Sequence, residues 1–143
     1  MVKHEKLNYV EFPATNIPAT KMFFEKAFGW SFEDFGPEYT TFTDQGIDGG
    51  FYQSDLTSTT ANGSALLVLP SDNLDLTQSN IEAAGGKISL PIFSFPGGQR
   101  FHFIEPSGNE LAIWSKEKKR YRLVHIIISK KECNAVYLLR LNN

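Results

Sequence analysis

Apolar and polar positions fall in an order that the chain uses twice. Leu7-Asn-Tyr-Val-Glu-Phe12 alternates with the period of a half-buried strand. Pro13 breaks that run, and Thr15 or Asn16 can cap a helix with Pro18 in its first turn, where a missing N–H costs nothing. Phe24, Ala27 and Phe28 form an apolar stripe, and Gly29 stands where a left-handed C-terminal cap is wanted. Strand-like runs follow at 30–35, 39–43 and 50–53. The order then restarts with a strand at 65–69 and a helix capped by Asp72 or Asn73, with Leu74, Thr77, Ile81 and Ala84 on one face. Gly85-Gly86 ends that helix, and strands are predicted at 87–89, 100–104 and 110–114.

An offset of 57 residues superposes the two halves: Pro13 on Pro70, Asn16 on Asn73, Thr20 on Thr77, Glu25 on Glu82 and Gly29 on Gly86. The ordered set spans a strand, a cap and a helix, so the predicted unit is β-α-β-β-β, present twice. The fold class is α+β, with two βαβββ repeats forming a cup-shaped, barrel-like curved mixed sheet with flanking helices. The domain is expected over 6–117, with repeat one at about 6–55 and repeat two at about 63–117, followed by an extension at 118–143.

Composition narrows the picture. The 143 residues include 12 Phe and are 41% hydrophobic, enough for a core and too apolar for a disordered chain. One Cys leaves no disulfide framework and no four-Cys zinc site. No apolar run approaches the ~18 residues of a membrane span, and the N-terminus lacks the apolar stretch of a secretory signal. The expectation is a cytoplasmic protein with no membrane partner.

Charge divides the chain. Residues 1–115 carry 6 Lys+Arg against 14 Asp+Glu, a balance of −8, whereas 116–143 carry 8 against 2, a balance of +6. An acidic body with Arg100 as its one Arg has no electrostatic footprint for nucleic acid. The basic extension holds two strand-like runs, 121–129 and 135–141, joined by a polar link at 130–134. It reads either as a hairpin added to an exposed sheet edge or as foreign sequence fused by loss of a stop codon near residue 117.

The doubled unit, Phe23-Phe24-Glu-Lys-Ala-Phe-Gly-Trp30, Glu82-Ala-Ala-Gly-Gly-Lys87 and Glu105-Pro-Ser-Gly-Asn109 together resemble the vicinal oxygen chelate superfamily. That superfamily includes glyoxalase I, bleomycin-resistance proteins and extradiol dioxygenases. The resemblance covers about residues 6–117 and is carried by caps, turns and core faces, which specify a fold rather than a chemistry. It implies a homodimer. In enzymes of this superfamily His, Gln or Glu side chains from four inner strands hold one divalent metal, which acts as a Lewis acid on two vicinal substrate oxygens.

Carried over residue by residue, the ligand positions fall on Tyr9, Leu66, Ala112 and either Gly50 or Phe51. None is an imidazole or a carboxylate. The resemblance therefore implies no cofactor at the usual place. A displaced set of Glu11, His102 and Glu110 is the alternative, and it would call for Ni, Zn, Mn or Fe. The bland reading makes Glu11 and Glu110 pocket or edge carboxylates and His102 a solvated strand residue. The ligand-pocket candidates are Tyr9, Glu11, Tyr52, Leu66, Arg100, His102, Glu110, Ala112 and Trp114. Of Tyr9, Tyr52, Trp30 and Trp114, two are expected to face a cup for a planar ligand. No Ser-His-Asp or Cys-His arrangement and no phosphate-binding loop spacing is present.

Three function classes follow. A body near −8 disfavours an anionic substrate, so the leading expectation is a small-molecule-binding protein for a neutral or cationic, partly aromatic ligand. The second is a metal-dependent lyase, isomerase or dioxygenase, glyoxalase-I-like, with displaced ligands. The third is an interaction module in which the basic extension does the work.

Overall fold

The computed structural model describes residues 2–117, 121–126 and 135–140. The first unit runs β1 (Tyr9–Ala14), α1 (Ile17–Phe28), β2 (Glu33–Asp34), β3 (Tyr39–Phe42) and β4 (Asp48–Gln53). The second repeats it as β5 (Val68–Pro70), α2 (Leu74–Ala83), β6 (Lys87–Phe95), β7 (Gly98–Ile104) and β8 (Glu110–Lys116). The sheets have matching orders, β1-β4-β3-β2 and β5-β8-β7-β6. In each, the first strand lies parallel to the last and the remaining pairs are antiparallel. The α+β class and the doubled βαβββ unit stand as expected; each sheet is open at both ends rather than part of a closed barrel.

The caps explain where the helices begin. Asn16 accepts from Ala19 N, and Asn73 accepts from Leu76 N, so Asn rather than Thr15 or Asp72 fills the cap. Gly29 closes α1 at φ 72°, the left-handed conformation that a Cβ disfavours.

Strand lengths needed correction. The run at 30–35 contributes only Glu33–Asp34, because Trp30 turns inward and stacks on Phe24 at 4.5 Å between ring centroids. The run at 65–69 pairs only from Val68. The strand placed at 87–89 extends to Phe95, with register shifts on both sides of Leu90. Pro91 is tolerated there because β6 is an edge strand, where a missing donor breaks no ladder.

The register settles how the repeats correspond. Glu11 lies opposite Gly50, and Val68, its counterpart at the 57-residue offset, lies opposite Ala112. Gly50 rather than Phe51 is thus the equivalent of Ala112. One face of each sheet supports the helices: Phe12, Phe42 and Phe51 in the first, Phe101, Phe103, Leu111 and Ile113 in the second, all buried. Phe23 and Phe24 from α1 and Ile81 from α2 fill the space between. Aromatic contacts dominate this core, each adding about 0.5–1.5 kcal/mol beyond burial.

A buried polar latch stitches repeat two to repeat one. In the turn 105–109, Asn109 Nδ2 donates to Pro13 O at 2.7 Å, while Asn109 Oδ1 accepts from Ser58 N at 2.8 Å. The Thr20 hydroxyl of α1 donates to Glu105 at 2.6 Å, and the Ser107 hydroxyl bonds the main chain of Asn16. Glu105, Ser107, Asn109 and Thr20 are all buried, so each needs these partners.

In the extension, β9 (Tyr121–Ile126) and β10 (Ala135–Arg140) pair antiparallel as a two-stranded sheet of their own. The two runs pair with each other but are not added to the edge of either larger sheet; the link at 130–134 lies outside the described residues.

Candidate functional site

Strand parity assigns the second face of each sheet, away from the helices. In the first sheet it carries Tyr9, Glu11, Pro13, Tyr39, Thr41, Asp48, Gly50 and Tyr52 by register. In the second, Arg100 lies opposite Trp114, His102 opposite Ala112 and Val68 beside them. Glu110 shares that face, two residues before Ala112. Leu66 lies just ahead of β5. Trp30 alone among the four aromatic candidates belongs to the helix-side core, at 8% exposure.

In the first repeat, hydroxyls gather around a carboxylate. Tyr39 donates to Glu11 Oε1 at 3.2 Å and its oxygen also bonds the Tyr9 hydroxyl. Burial, then the Tyr9 hydroxyl and the Glu11 carboxylate, push the Tyr39 phenol well above its ordinary value, so it stays protonated. Gly50 makes room for this ring: a Cβ there would stand 2.5 Å from the Tyr39 hydroxyl. Beside Glu11 opens a cavity of about 350 Å³. Glu11, Pro13 and Tyr52 line one side of it, and Leu56, Ser58 and Ala65 of the inter-repeat segment line the other.

The second repeat holds a different chemistry. His102 Nδ1 and Glu110 Oε2 stand 2.8 Å apart, with side chains only 7% and 11% exposed. Glu110 Oε1 accepts from both the backbone N and the hydroxyl of Thr60, each at 2.8 Å. Burial alone would raise the Glu110 carboxyl, but hydrogen bonds from His102 and Thr60 outweigh it and lower its pKa. His102 is therefore not the solvated residue that its place on a strand suggested. Arg100 lies over the rings of Phe93 and Phe95, at 5.1 and 5.6 Å.

The proposed displaced set is not brought together. His102 and Glu110 meet, but Glu11 turns to Tyr39. Among the described residues no group of three His, Cys, Asp or Glu side chains converges. At Tyr9, Gly50, Leu66 and Ala112 there is one phenol and no imidazole, thiolate or carboxylate.

Sequence reasoning missed Tyr39, Thr60 and Phe93. Tyr39 sat in a run read as plain strand, while Phe93 and Thr60 lay outside every predicted strand and helix. Only cross-strand register, which the sequence does not state, brings them to the candidates.

Two repeated βαβββ units, each with one face packed on its helix and one face free, define a doubled, curved-sheet fold. Residues 6–113 match the family model described as Glyoxalase/Bleomycin resistance protein/Dioxygenase superfamily, and the chain belongs to that superfamily. Among solved structures, a glyoxalase-related enzyme from Fulvimarina pelagi is similar at 15% identity and TM-score 0.66, over 92% of this chain and 97% of that one. An integron cassette protein from the mobile metagenome of V. Cholerae is 22% identical, with TM-score 0.58 over 82% of this chain and 99% of its own. A lactoylglutathione lyase from Agrobacterium tumefaciens is 15% identical, with TM-score 0.60 over 79% and 95%. At such identities the likeness concerns the fold. A comparison with curated proteins returns no match.

Proposed function

We propose that this chain is a small-molecule-binding protein of the glyoxalase/bleomycin-resistance type that holds its ligand with side chains rather than with a divalent ion. The ligand is neutral or cationic and partly aromatic. The observation that carries this reading is the cavity beside Glu11 and Tyr52, where a carboxylate and an aromatic ring line the space together. A balance of −8 over residues 1–115 supports the same ligand charge and opposes an anionic, glutathione-like substrate. The four positions where the superfamily holds its metal are a poor donor set here, and the His102–Glu110 pair has no third protein ligand beside it among the described residues. That weighs against the lyase, isomerase or dioxygenase alternative, which needs at least three protein donors. The setting we propose is a cytoplasmic homodimer.

The test is a thermal-shift screen of neutral and cationic aromatic compounds on the full chain, followed by calorimetric titration of the hits. Glu11 is exposed, so Glu11→Gln leaves the fold intact. It should weaken a cationic hit about ten-fold, the effect of ~1.4 kcal/mol. Absence of any hit, or equal binding by the variant, would overturn the reading.

A further inference from the structure

Residues 55–67 join the two repeats without forming a helix or a strand. A connector of this length inside a compact domain is uncommon and usually marks a functional segment. Its inner side faces the cavity, where Leu56, Ser58, Ser64 and Ala65 stand across from Glu11 and Tyr52. Among the described residues no hydrogen bond ties 55–67 to β1 or β4, so the two walls of the cavity are not fastened to each other.

The fastening is to the second repeat. Glu110 N donates to Ser58 O at 2.8 Å and Ala112 N donates to Leu67 O at 3.0 Å, which anchors the segment at two points. Ser58 N adds a bond to Asn109 Oδ1. Between the anchors, the turn 59–64 closes on itself. Thr59 O accepts from Asn62 N and Ser64 N, Gly63 takes a left-handed φ of 81°, and Asn62 Nδ2 donates to Thr57 O. Beyond the connector itself, residues 59–66 hydrogen-bond only to Glu110 among the described residues. Thr60 gives both its backbone N–H and its hydroxyl to Glu110 Oε1, each at 2.8 Å. The other oxygen, Oε2, is held by His102 Nδ1 at 2.8 Å, so the carboxylate is aimed from both ends. Hydrogen bonds to an ionised, largely buried group are the strong ones.

The first repeat has a carboxylate at the matching position: Asp48 precedes Gly50 by two residues, as Glu110 precedes Ala112. Asp48 Oδ1 accepts from Asp44 N, within its own hairpin. Reaching out to the connector is peculiar to the second repeat.

We propose that Glu110 is the catch of a hinged strap: by holding Thr60 it keeps the turn 59–64 against β8 and closes the cavity beside Glu11 on its outer side. A ligand enters when Thr60 lets go, with Ser58 and Leu67 as the hinges. Glu110 and Thr60 are positioning residues, since neither lines the cavity. The inference rests on the ligand-binding reading for what the strap encloses, and adds how that site is gated.

Amide hydrogen exchange on the full chain tests the catch without a ligand. In Glu110→Ala the amides of 59–66 should exchange at least about ten-fold faster, while those of β1 and β4 keep their protection. Glu110→Gln keeps an acceptor oxygen for Thr60 and should stay within about three-fold of the wild type. Thr60→Val leaves the His102 pair untouched and should loosen the same residues at least about three-fold. In a Cys133→Ser background, a Ser64→Cys thiol on the cavity wall should react with N-ethylmaleimide at least about five-fold faster once Glu110→Ala is added. Unchanged exchange at 59–66 in Glu110→Ala, a loss of protection spread equally over β1 and β4, Glu110→Gln as loose as Glu110→Ala, or an unaltered thiol rate would each overturn the catch. An empty thermal-shift screen would sink the ligand-binding reading and leave the catch standing; a strap that stays shut would sink the catch alone.

Discussion

The two repeats agree on the faces that meet the helices and disagree on the faces that do not. By register Phe12 corresponds to Leu69, Phe42 to Phe103 and Phe51 to Ile113, apolar in every case. On the free faces Glu11 corresponds to Val68, Tyr39 to Arg100 and Thr41 to His102. The hairpin turns diverge as well. Residues 43–46 of the first are exposed, whereas Glu105, Ser107 and Asn109 of the second are buried and tied to repeat one. A duplicated unit must keep its helix-facing side to fold at all, whereas the other face answers to fewer packing partners, such as the Tyr39 ring over Gly50. The free faces are therefore where each repeat carries its own chemistry.

The shared face should be equally intolerant in both halves. Phe24→Ala should cost about 3–5 kcal/mol and its counterpart Ile81→Ala about 2–5 kcal/mol by chemical denaturation. A small loss at either site would break the equivalence of the two cores.

The turns should differ sharply. Glu105→Ala leaves the backbone N–H groups of Ser107 and Asn109 without their acceptor and takes one of two partners from the Thr20 hydroxyl, which keeps Ser107. It should cost about 3 kcal/mol, since each buried orphan costs ~1–3 kcal/mol before relaxation. Gln45→Ala in the exposed first turn should stay within about 0.5 kcal/mol.

The two carboxylates of repeat two should respond to pH with opposite signs. Glu110 has a lowered pKa, so its contribution is complete above the ordinary carboxylate value of ~4.3 and is lost as pH falls through the lower folded value. Burial raises Glu105 more than its hydrogen bonds lower it, so its contribution shrinks as pH rises through the folded value. Thermal unfolding of Glu110→Gln between pH 3 and 6 should show a flatter acid limb than the wild type. An unchanged limb would mean that the His102 pair carries no net stabilisation.

The smallest effect belongs to Lys21–Asp34, an ion pair at 2.8 Å at the surface. Lys21→Ala should leave the unfolding midpoint unchanged, because exposed pairs are screened and entropically costly.

The fold was legible because its signals are local. Asn16 and Asn73 as caps, Gly29 as a stop and the alternation 7–12 need no partner to be read, and their recurrence reveals the repeat. The strands that resisted are those whose limits depend on neighbours: Trp30 looked like strand until the core claimed it, and β6 outran its apolar signal because β7 pairs along its whole length. Of the site, the candidate positions and the grouping of His102 with Glu110 across the last hairpin were legible, but the place of Glu11 was not. Strand parity puts Glu11 on a free face; only the register shows that Tyr39 takes it.

The central claim, that side chains rather than a resident divalent ion hold the ligand, is tested most directly by elemental analysis. The full chain would be purified without chelators, incubated with Ni, Zn, Mn or Fe, and freed of excess ion. The account predicts well under one metal per chain for every ion, and ligand binding unchanged by chelator. About one metal per chain, lost in Glu11→Gln or Glu110→Gln, would contradict it and restore a chelating site.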